Sequence, residues 1–277
     1  MQYDLSIIIA HFKPRDLIGN PLIKTISEIN NQKGKYKIEI IIADDGSLYD
    51  YPFEKKYSSI SCFKEKDVYL LNDKILKEFL LAQSIDIKGI SKWVHYPKIN
   101  NSMNKAFITN CAVNISKSKN LLLLDDDNYF ISKNSIESLV KLFENYDLVF
   151  GQIKDNNNRY RSYDSHRVQG TTIGIKKNIF NEVGGLGEWT SEFSCAVDSD
   201  FWIKLYNYYN KYKINGCYTN QISTYDSFSK RWKKYTKFFK EIRLKKKFNK
   251  LYSCKNYKSY RSNYSRQKKL WLDNLIK

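Results

Sequence analysis

Three consecutive aspartates, residues 125–127, directly follow an apolar run at residues 121–124. Adjacent carboxylates repel one another, so this arrangement is unfavourable unless a cation or hydrogen-bond donors compensate it. Asp125 and Asp127 point the same way if the chain stays extended, and such oxygen ligands suit a hard divalent ion that also bridges phosphate oxygens. The alternative is an acidic cap ahead of a helix near Ser132. The cluster therefore predicts either a metal and phosphate site or a helix cap.

A second polar cluster, Asp44-Asp45-Gly46-Ser47, follows the apolar run at residues 38–43. Gly46 permits a tight turn, and a carboxylate beside it can accept hydrogen bonds from a nucleobase N–H or from ribose hydroxyls. A plain solvated turn is the alternative. His11 follows a third apolar run, at residues 5–10, where it is either part of a nucleotide pocket or an ordinary surface histidine.

Both clusters stand at the ends of predicted strands, because each follows a short, buried-type apolar run. Helical patterns separate the strands, and Asn20 before Pro21 is typical of a helix start. Asn134 with Glu137 resembles a capping box. Strands that alternate with helices favour an α/β fold with a mostly parallel sheet covered on both faces, whose ligands bind at the carboxyl ends of the strands. The predicted strands are residues 5–10, 38–43, 93–96, 121–124, 148–153 and 171–175, and the predicted helices are residues 21–34, 75–84, 105–118, 136–143 and 198–209.

The order and spacing of several segments resemble the nucleotide-diphospho-sugar transferases of the GT-A fold, and glycosyltransferase family 2 in particular. The resemblance covers about residues 3–210 and implies a Rossmann-like sheet flanked by helices. The segments that carry it are Leu5-Ser6-Ile7-Ile8-Ile9, Ala43-Asp44-Asp45-Gly46-Ser47, Asn110 ahead of Leu124-Asp125-Asp126-Asp127, Gly170-Thr171-Thr172, Val183-Gly184-Gly185-Leu186-Gly187-Glu188 and Val197-Asp198-Ser199-Asp200-Phe201.

This resemblance implies roles for individual residues. Asp125 and Asp127 match the metal-binding pair that holds Mn²⁺ or Mg²⁺, with Asp127 as the more direct ligand. Asp198 matches the general base that deprotonates the acceptor hydroxyl, and attack from its side inverts the anomeric carbon. Glu188 and Trp189 are assigned to the acceptor, although Trp189 could equally anchor the last helix. The positions assigned to the nucleotide sugar are Ala10, His11, Asp44, Asp45, Asn110, Asp125 and Asp126, with Asp44 and Asp45 on the uridine.

Three positions depart from the family pattern. Val197 stands where the family has Glu before the base, and Thr109 stands where it has Arg before Asn110. Many relatives also use a late His as an extra metal ligand, whereas the histidines here are His11, His95 and His166. Asp226 and Tyr225 are the candidates to replace that histidine as a metal ligand.

The net charge of +18 is concentrated at the C-terminus. Residues 227–277 hold 18 Lys or Arg against Glu241 and Asp273, so this tail carries nearly all of the net positive charge. We therefore divide the chain into a catalytic domain, residues 1–226, and a basic, aromatic, helical tail, residues 227–277. Such asymmetry predicts an anionic partner. We expect the tail to hold the protein on the inner face of the plasma membrane, in the cytoplasm, with no nucleic acid as partner.

Composition excludes several other classes. The apolar runs are far shorter than the ~18 residues of a membrane span, no signal peptide is expected, and an odd count of five cysteines predicts no disulfide framework. The predicted function is an inverting, metal-dependent transfer of a hexosyl or N-acetylhexosaminyl group from a UDP-sugar to a glycan or lipid-linked acceptor, in bacterial capsule or lipopolysaccharide synthesis. The alternatives are a sugar-phosphate nucleotidyltransferase and a basic nucleic-acid-binding protein.

Overall fold

The computed structural model describes residues 3–50, 58–63, 66–86, 88–97, 102–161, 169–227, 237–253 and 274–276. Its strands are β1 (Leu5–His11), β2 (Ile38–Asp44), β3 (Ser58–Phe63), β4 (Lys66–Leu70), β5 (Ile90–His95), β6 (Asn120–Asp125), β7 (Asn128–Phe130), β8 (Leu148–Lys154), β9 (Ile173–Lys176), β10 (Gly216–Asp226) and β11 (Asn274–Ile276). They form one sheet in the order β11-β10-β8-β9-β6-β1-β2-β5-β4-β3, and β7 pairs with β10 outside that path.

The centre of the sheet is parallel, as the sequence predicts. β1 pairs with β2 on one side and β6 on the other, and the register sets Ala10 opposite Asp125 and His11 opposite Asp44. The three strands therefore end at the same edge and bring both acidic clusters together. β9 runs antiparallel between β6 and β8, and β3, β4 and β7 also have antiparallel partners, so the sheet as a whole is mixed.

Helices cover both faces of this sheet, which confirms the predicted α/β architecture. α3, α5 and α6 pack on one face, and α1, α2 and α4 pack on the other. Each face is sealed by the branched aliphatic side chains of the central strands, which are buried on both sides. The helices are α1 (Pro21–Asn30), α2 (Asp73–Ala82), α3 (Lys105–Ile115), α4 (Ser135–Leu142), α5 (Lys177–Glu182), α6 (Val197–Tyr212) and α7 (Lys237–Tyr252).

One of the two predicted helix caps is present in the structure. Asn20 caps α1 as predicted, because its Oδ1 accepts a hydrogen bond from the Leu22 N–H at 3.1 Å. The capping box predicted for α4 is wrong, since Asn134 makes no side-chain cap there. Its ψ of 8° lies outside the extended region that a capping side chain needs. The Ile136 N–H donates instead to Oε1 of Gln32, at 3.1 Å, from the end of α1.

The C-terminal part of the chain adds elements that the sequence patterns did not resolve. β10 has no predicted counterpart, although it is the longest strand and pairs with β8 over most of its length. α7 lies within the predicted helical tail and packs on the body through Leu244 and Phe248, which are buried against Phe193 and Ile203. The tail aromatics Trp232 and Tyr235 lie outside the described residues.

Candidate active site

Asp126 ties the carboxyl ends of β1 and β6 together. Its Oδ2 lies 2.5 Å from Nδ1 of His11 and accepts a hydrogen bond from the Phe12 N–H at 3.2 Å. Nε2 of the same imidazole lies 2.7 Å from the Tyr49 hydroxyl. Asp126 and His11 are both buried, so these two predicted residues form an internal network under the strand ends.

Asp44 closes the end of β2 in a similar way. The carboxylate is fully buried, and it accepts hydrogen bonds from the Ser47 N–H at 2.8 Å and from the indole of Trp93 at 3.0 Å. The His95 imidazole lies 2.9 Å from it. Burial alone would raise the pKa of Asp44, but the charges of His95 and His11 and the hydrogen bonds lower it to about 2. Asp44 is therefore held as a carboxylate inside the fold.

Asp45, the next residue, connects the same turn to the start of α3. Its carboxylate accepts hydrogen bonds from the backbone N–H of Asn104 at 2.8 Å and from the Asn104 side chain at 3.2 Å. Asn104 is the residue before Lys105, the first residue of α3. The second acidic residue of the turn thus fixes where α3 begins, directly above the ends of β1 and β6.

The residues that face one another across this edge are Asp125, Lys105 and Asp198. Nζ of Lys105 lies 2.5 Å from Oδ1 of Asp125 and 3.3 Å from the carbonyl oxygen of Gly170. Gly170 adjoins Asp198 so closely that an added Cβ would lie 3.1 Å from the carboxylate carbon. Thr171 holds the same loop against β6, because its hydroxyl accepts a hydrogen bond from the Asp125 N–H at 2.8 Å. Two carboxylates and one ammonium therefore line a single small site.

Charge in this site is only partly balanced. Burial, with a smaller contribution from repulsion by Asp127 and Asp126, raises the pKa of Asp125 to about 6 against the opposing effect of Lys105. For Lys105, burial lowers the pKa, but the carboxylates of Asp125, Asp198 and Asp127 outweigh it and raise the pKa overall. The site thus has an excess of negative charge around one ammonium ion.

Asp127 lies where the chain leaves β6 for β7. Its carbonyl oxygen accepts hydrogen bonds from the N–H and the hydroxyl of Ser227, both at 3.0 Å, so the end of β10 lies beside it. Asp226 is ion-paired with Arg161, and Tyr225 lies against the ring of Tyr129. The two residues considered as replacements for a late metal ligand thus both have side-chain partners of their own.

The donor set around Asp127 is small. Within the part of the chain that the structure describes, no group of three or more His, Cys, Asp or Glu side chains converges as a metal site would require. Asp125 and Asp127 lie close enough for the charge of one to raise the pKa of the other. Two carboxylates fit a divalent ion that takes its remaining oxygen ligands from a bound diphosphate and from water.

Asn110 holds the glycine-rich turn that precedes α6. Its side-chain amide donates to the Leu186 carbonyl oxygen at 2.9 Å and accepts from the Leu186 N–H at 2.9 Å. The same amide donates to Oε1 of Glu188 at 3.0 Å. Gly185 has a positive φ of 58°, and a Cβ there would approach Oδ1 of Asn110 to 2.6 Å. Asn110 and Glu188, predicted as donor and acceptor contacts, therefore meet each other, and those roles stay predictions.

Trp189 belongs to the 3-10 helix Glu188–Phe193, and its side chain packs against α7. Its ring packs edge-on against Phe193 and Phe248, and its indole N–H donates to Oδ1 of Asp200 at 2.7 Å. Asp200 is fully buried, with Lys204 3.0 Å away and the Tyr252 hydroxyl donating to it. This placement corresponds to the anchor interpretation of Trp189, and acceptor stacking stays a prediction. Asp198, two residues earlier on α6, faces the site instead.

Sequence reasoning missed four residues of the site: Tyr49, Trp93, Asn104 and Lys105. Tyr49 had no signal, because nothing in the sequence brings residue 49 to His11. Lys105 did have a signal in the sequence. A cation at the first position of a helix is opposed by the helix dipole, so it needs an anionic partner. Asp125 provides that partner.

Comparison with solved structures bears on the fold. Staphylococcus aureus TarS aligns with a TM-score of 0.53 at 12% identity over 90% of this chain and 43% of that chain. The 1–349 form of TarS in complex with UDP-GlcNAc aligns at 0.51 and 11% identity, over 96% and 72%. The mannosyltransferase PcManGT from Pyrobaculum calidifontis, in complex with GDP-Man and Mn²⁺, aligns at 0.54 and 12% identity, over 83% and 59%.

These similarities establish the fold class. The chain has a GT-A-like glycosyltransferase fold, and it spans less than half of the length of full TarS. No protein-family model matches the sequence, and no curated protein matches it either. Function therefore has to be argued from the residues of the site.

Proposed function

We propose that the protein is an inverting glycosyltransferase that moves a sugar from a UDP-sugar to the hydroxyl of a glycan or lipid-linked acceptor. The observation that carries the proposal is the grouping of Asp125, Lys105 and Asp198 at one strand edge. Displacement of a nucleoside diphosphate needs positive charge at the leaving group and a base on the other side of the sugar. This edge offers both within a single site.

The leaving group is served by Lys105 and by the acidic pair. The Lys105 ammonium donates to Asp125 and to the Gly170 carbonyl oxygen, which leaves one N–H for a phosphate oxygen. Asp125 and Asp127 would hold a divalent ion, Mn²⁺ or Mg²⁺, which when bound neutralises the diphosphate. Asp198 takes the proton of the acceptor hydroxyl as that oxygen attacks the anomeric carbon. Attack opposite the leaving group inverts the configuration and needs no covalent intermediate.

The nucleoside part is assigned to the neighbouring strand ends. Ala10 is the one residue of β1 that is not fully buried, and its carbonyl oxygen accepts a hydrogen bond from the Asp126 N–H at 3.1 Å. The oxygens of Asp44 already accept internal hydrogen bonds. In this proposal Asp44, Asp126 and His11 therefore shape the uridine pocket from below, and Asp45 fixes the α3 end of that pocket.

The proposal also includes a lipid-linked acceptor and association with a membrane through α7. α7 carries seven Lys or Arg among its sixteen residues, and Arg243, Lys246 and Lys250 are exposed. A basic helix of this kind suits an anionic lipid surface, where lipid-linked acceptors for surface-polysaccharide synthesis would be met. No helix among the described residues has the length and apolar character needed to cross a bilayer.

The test is UDP binding by calorimetry with Mn²⁺ and with EDTA, followed by a panel of UDP-sugars scored for slow hydrolysis. We expect binding to require the cation and to fall at least about tenfold in Asp127→Ala, because a cation ligand is lost. Asp155→Ala, in the exposed turn after β8, is the matched control. Unchanged UDP affinity in EDTA and in Asp127→Ala would contradict the metal-dependent mechanism.

A further inference from the structure

A small cavity lies beside the cluster of Asp125, Lys105 and Asp198. It has a volume of about 20 Å³, which is enough for one water molecule or one methyl group. Those three residues belong to its lining, and 27% of the Asp125 side chain is exposed, so the cavity adjoins the accessible part of the site. The remaining wall is mostly apolar and includes Leu123, Ile173, Leu186, Val197 and Phe201.

One polar atom in this apolar wall is unpaired. Thr109 is buried on α3, and its hydroxyl has no hydrogen-bond partner among the described residues. The other buried polar side chain of the wall, Gln169, is satisfied, because its amide donates to the carbonyl oxygens of Gly151 and Thr172. Burial of a hydroxyl without a partner is unfavourable, and an aliphatic side chain would avoid this cost. The Thr109 hydroxyl is therefore available to a group that enters the cavity.

We propose that this cavity receives the methyl end of the acetamido group of an N-acetylated donor sugar, while the amide of that group lies at the cavity mouth. The inference rests on the proposed function, in which the sugar lies between the leaving group at Asp125 and the base Asp198. Both Asp125 and Asp198 line the cavity. An acetamido group places a methyl against the apolar wall and a carbonyl or N–H within reach of Thr109, so both features of the cavity are matched.

Other substituents match only one of these features. A hydroxyl in place of the acetamido group is too short to fill the cavity, and it would set a polar group against the apolar wall. The methyl of a deoxy sugar fills the wall but leaves the Thr109 hydroxyl unpaired. The geometry therefore makes Thr109 a specificity-determining residue, at the position where the sequence departs from the Arg of the resembling family.

The experiment compares two donor pairs by calorimetry with Mn²⁺: UDP-GlcNAc against UDP-glucose, and UDP-GalNAc against UDP-galactose. UDP alone measures the nucleotide contribution. We expect the wild-type protein to bind at least one acetamido donor about tenfold more tightly than its parent hexose. Thr109→Val should reduce that preference about 3- to 10-fold, the usual value of one neutral hydrogen bond, and leave UDP affinity unchanged. Thr109→Ser keeps the hydroxyl and should retain most of the preference.

The melting temperature separates this role from a structural one. Thr109→Val removes an unpaired buried hydroxyl, so its melting temperature should be equal to or higher than that of the wild type. Equal affinity for acetamido and parent donors would overturn the inference while UDP binding stands, and so would an equal loss of all ligands in Thr109→Val. Failure of UDP itself to bind would reject the proposed function, and the inference with it.

Discussion

At the scale of single residues, Asp44 is held as a carboxylate by its surroundings. Its pKa of about 2 lies below the ordinary value of 3.8. A lowered carboxylate pKa contributes stability above the unfolded-state pKa, and this contribution is lost as the pH falls through the folded-state value. We expect a contribution of about 2 kcal/mol that disappears between about pH 4 and pH 2.

Urea unfolding at pH 6 and near pH 3, for the wild type and Asp44→Asn, measures this contribution. The variant should be less stable at pH 6, because the buried partners Trp93 and His95 lose the charge that they contact. The difference between the two proteins should shrink at the lower pH. A difference in unfolding free energy that is the same at both pH values would contradict the assignment.

Asp198 and Asp200 lie two residues apart on α6, and we expect substitution of the first to affect catalysis and substitution of the second to affect stability. Asp198 faces the site, whereas Asp200 is buried with three partners. Asp198→Asn should keep the melting temperature and UDP affinity, while transfer falls about 10²- to 10⁴-fold, the usual value of general base catalysis. Asp200→Asn should lower the melting temperature, since it weakens a buried ion pair with Lys204.

Transfer rates and thermal unfolding of both variants distinguish the two residues. A variant Asp200→Asn that is fully stable but inactive, together with an active Asp198→Asn, would mean that the base has been assigned to the wrong aspartate. Ser199→Ala, between them on α6, is the matched control for substitutions in this turn.

At the scale of elements, short sequence patterns located the strands whose burial is visible in their own residues. Short apolar runs located β1, β2, β6 and β8 to within a residue or two, because parallel central strands are buried on both faces. β10 was missed, since its sequence mixes polar residues with a register shift between Thr219 and Ser223. Its pairing with β8 is fixed by tertiary contacts, which no short pattern contains.

The same distinction applies within the site. The strand-end aspartates could be found because each follows a recognisable strand. The contact between Lys105 and Asp125 joins α3 to β6, and the contact of Asp126 with His11 joins two strands 115 residues apart. Such pairings depend on the packing of separate elements, so the sequence indicated the acidic clusters without their partners.

The packing of α7 against the body can be tested by substitution of Phe248. Phe248 is fully buried against the ring of Trp189, and Tyr252 donates a hydrogen bond to Asp200. Phe248→Ala should cost about 3–5 kcal/mol locally and release α7 from the body. Hydrogen exchange should then show lost protection in α7 and faster exchange in the first turn of α6. Ile242→Ala, on the exposed side of α7, is the control. Unchanged protection in Phe248→Ala would contradict the packing.

At the scale of the whole molecule, charge is distributed unevenly. The tail from residue 227 onward holds 18 of the 47 basic residues, while the body is close to neutral. Within the described part of the tail, the apolar side of α7 is already used for packing, since Leu244 and Phe248 are buried. Its exposed cations are left to contact a partner. Attachment of α7 to an anionic membrane should therefore be mainly electrostatic and sensitive to salt.

Because α7 also packs on the body, membrane binding has to be tested with a variant that keeps α7 in place. Removal of residues 227–277 would also expose Phe193 and Ile203, so a truncated protein could bind lipid for the wrong reason. The double variant Lys246→Glu/Lys250→Glu reverses two exposed charges and leaves the packed face intact. Each basic residue near an anionic surface contributes about 1 kcal/mol, so liposome affinity should fall at least about 30-fold.

The measurement is flotation with neutral and anionic liposomes at several salt concentrations. The control is Lys74→Glu/Lys77→Glu, which makes the same charge change on exposed positions of α2, away from the tail. We expect the wild type and this control to float with anionic lipid at low salt and to be released as salt rises, while the α7 variant stays unbound. Because nucleic acid attracts the same charges, binding to phosphate alone does not distinguish the partners. Equal flotation of the two double variants, or no flotation of the wild type at low salt, would refute membrane attachment through α7 and leave the catalytic proposal unaffected.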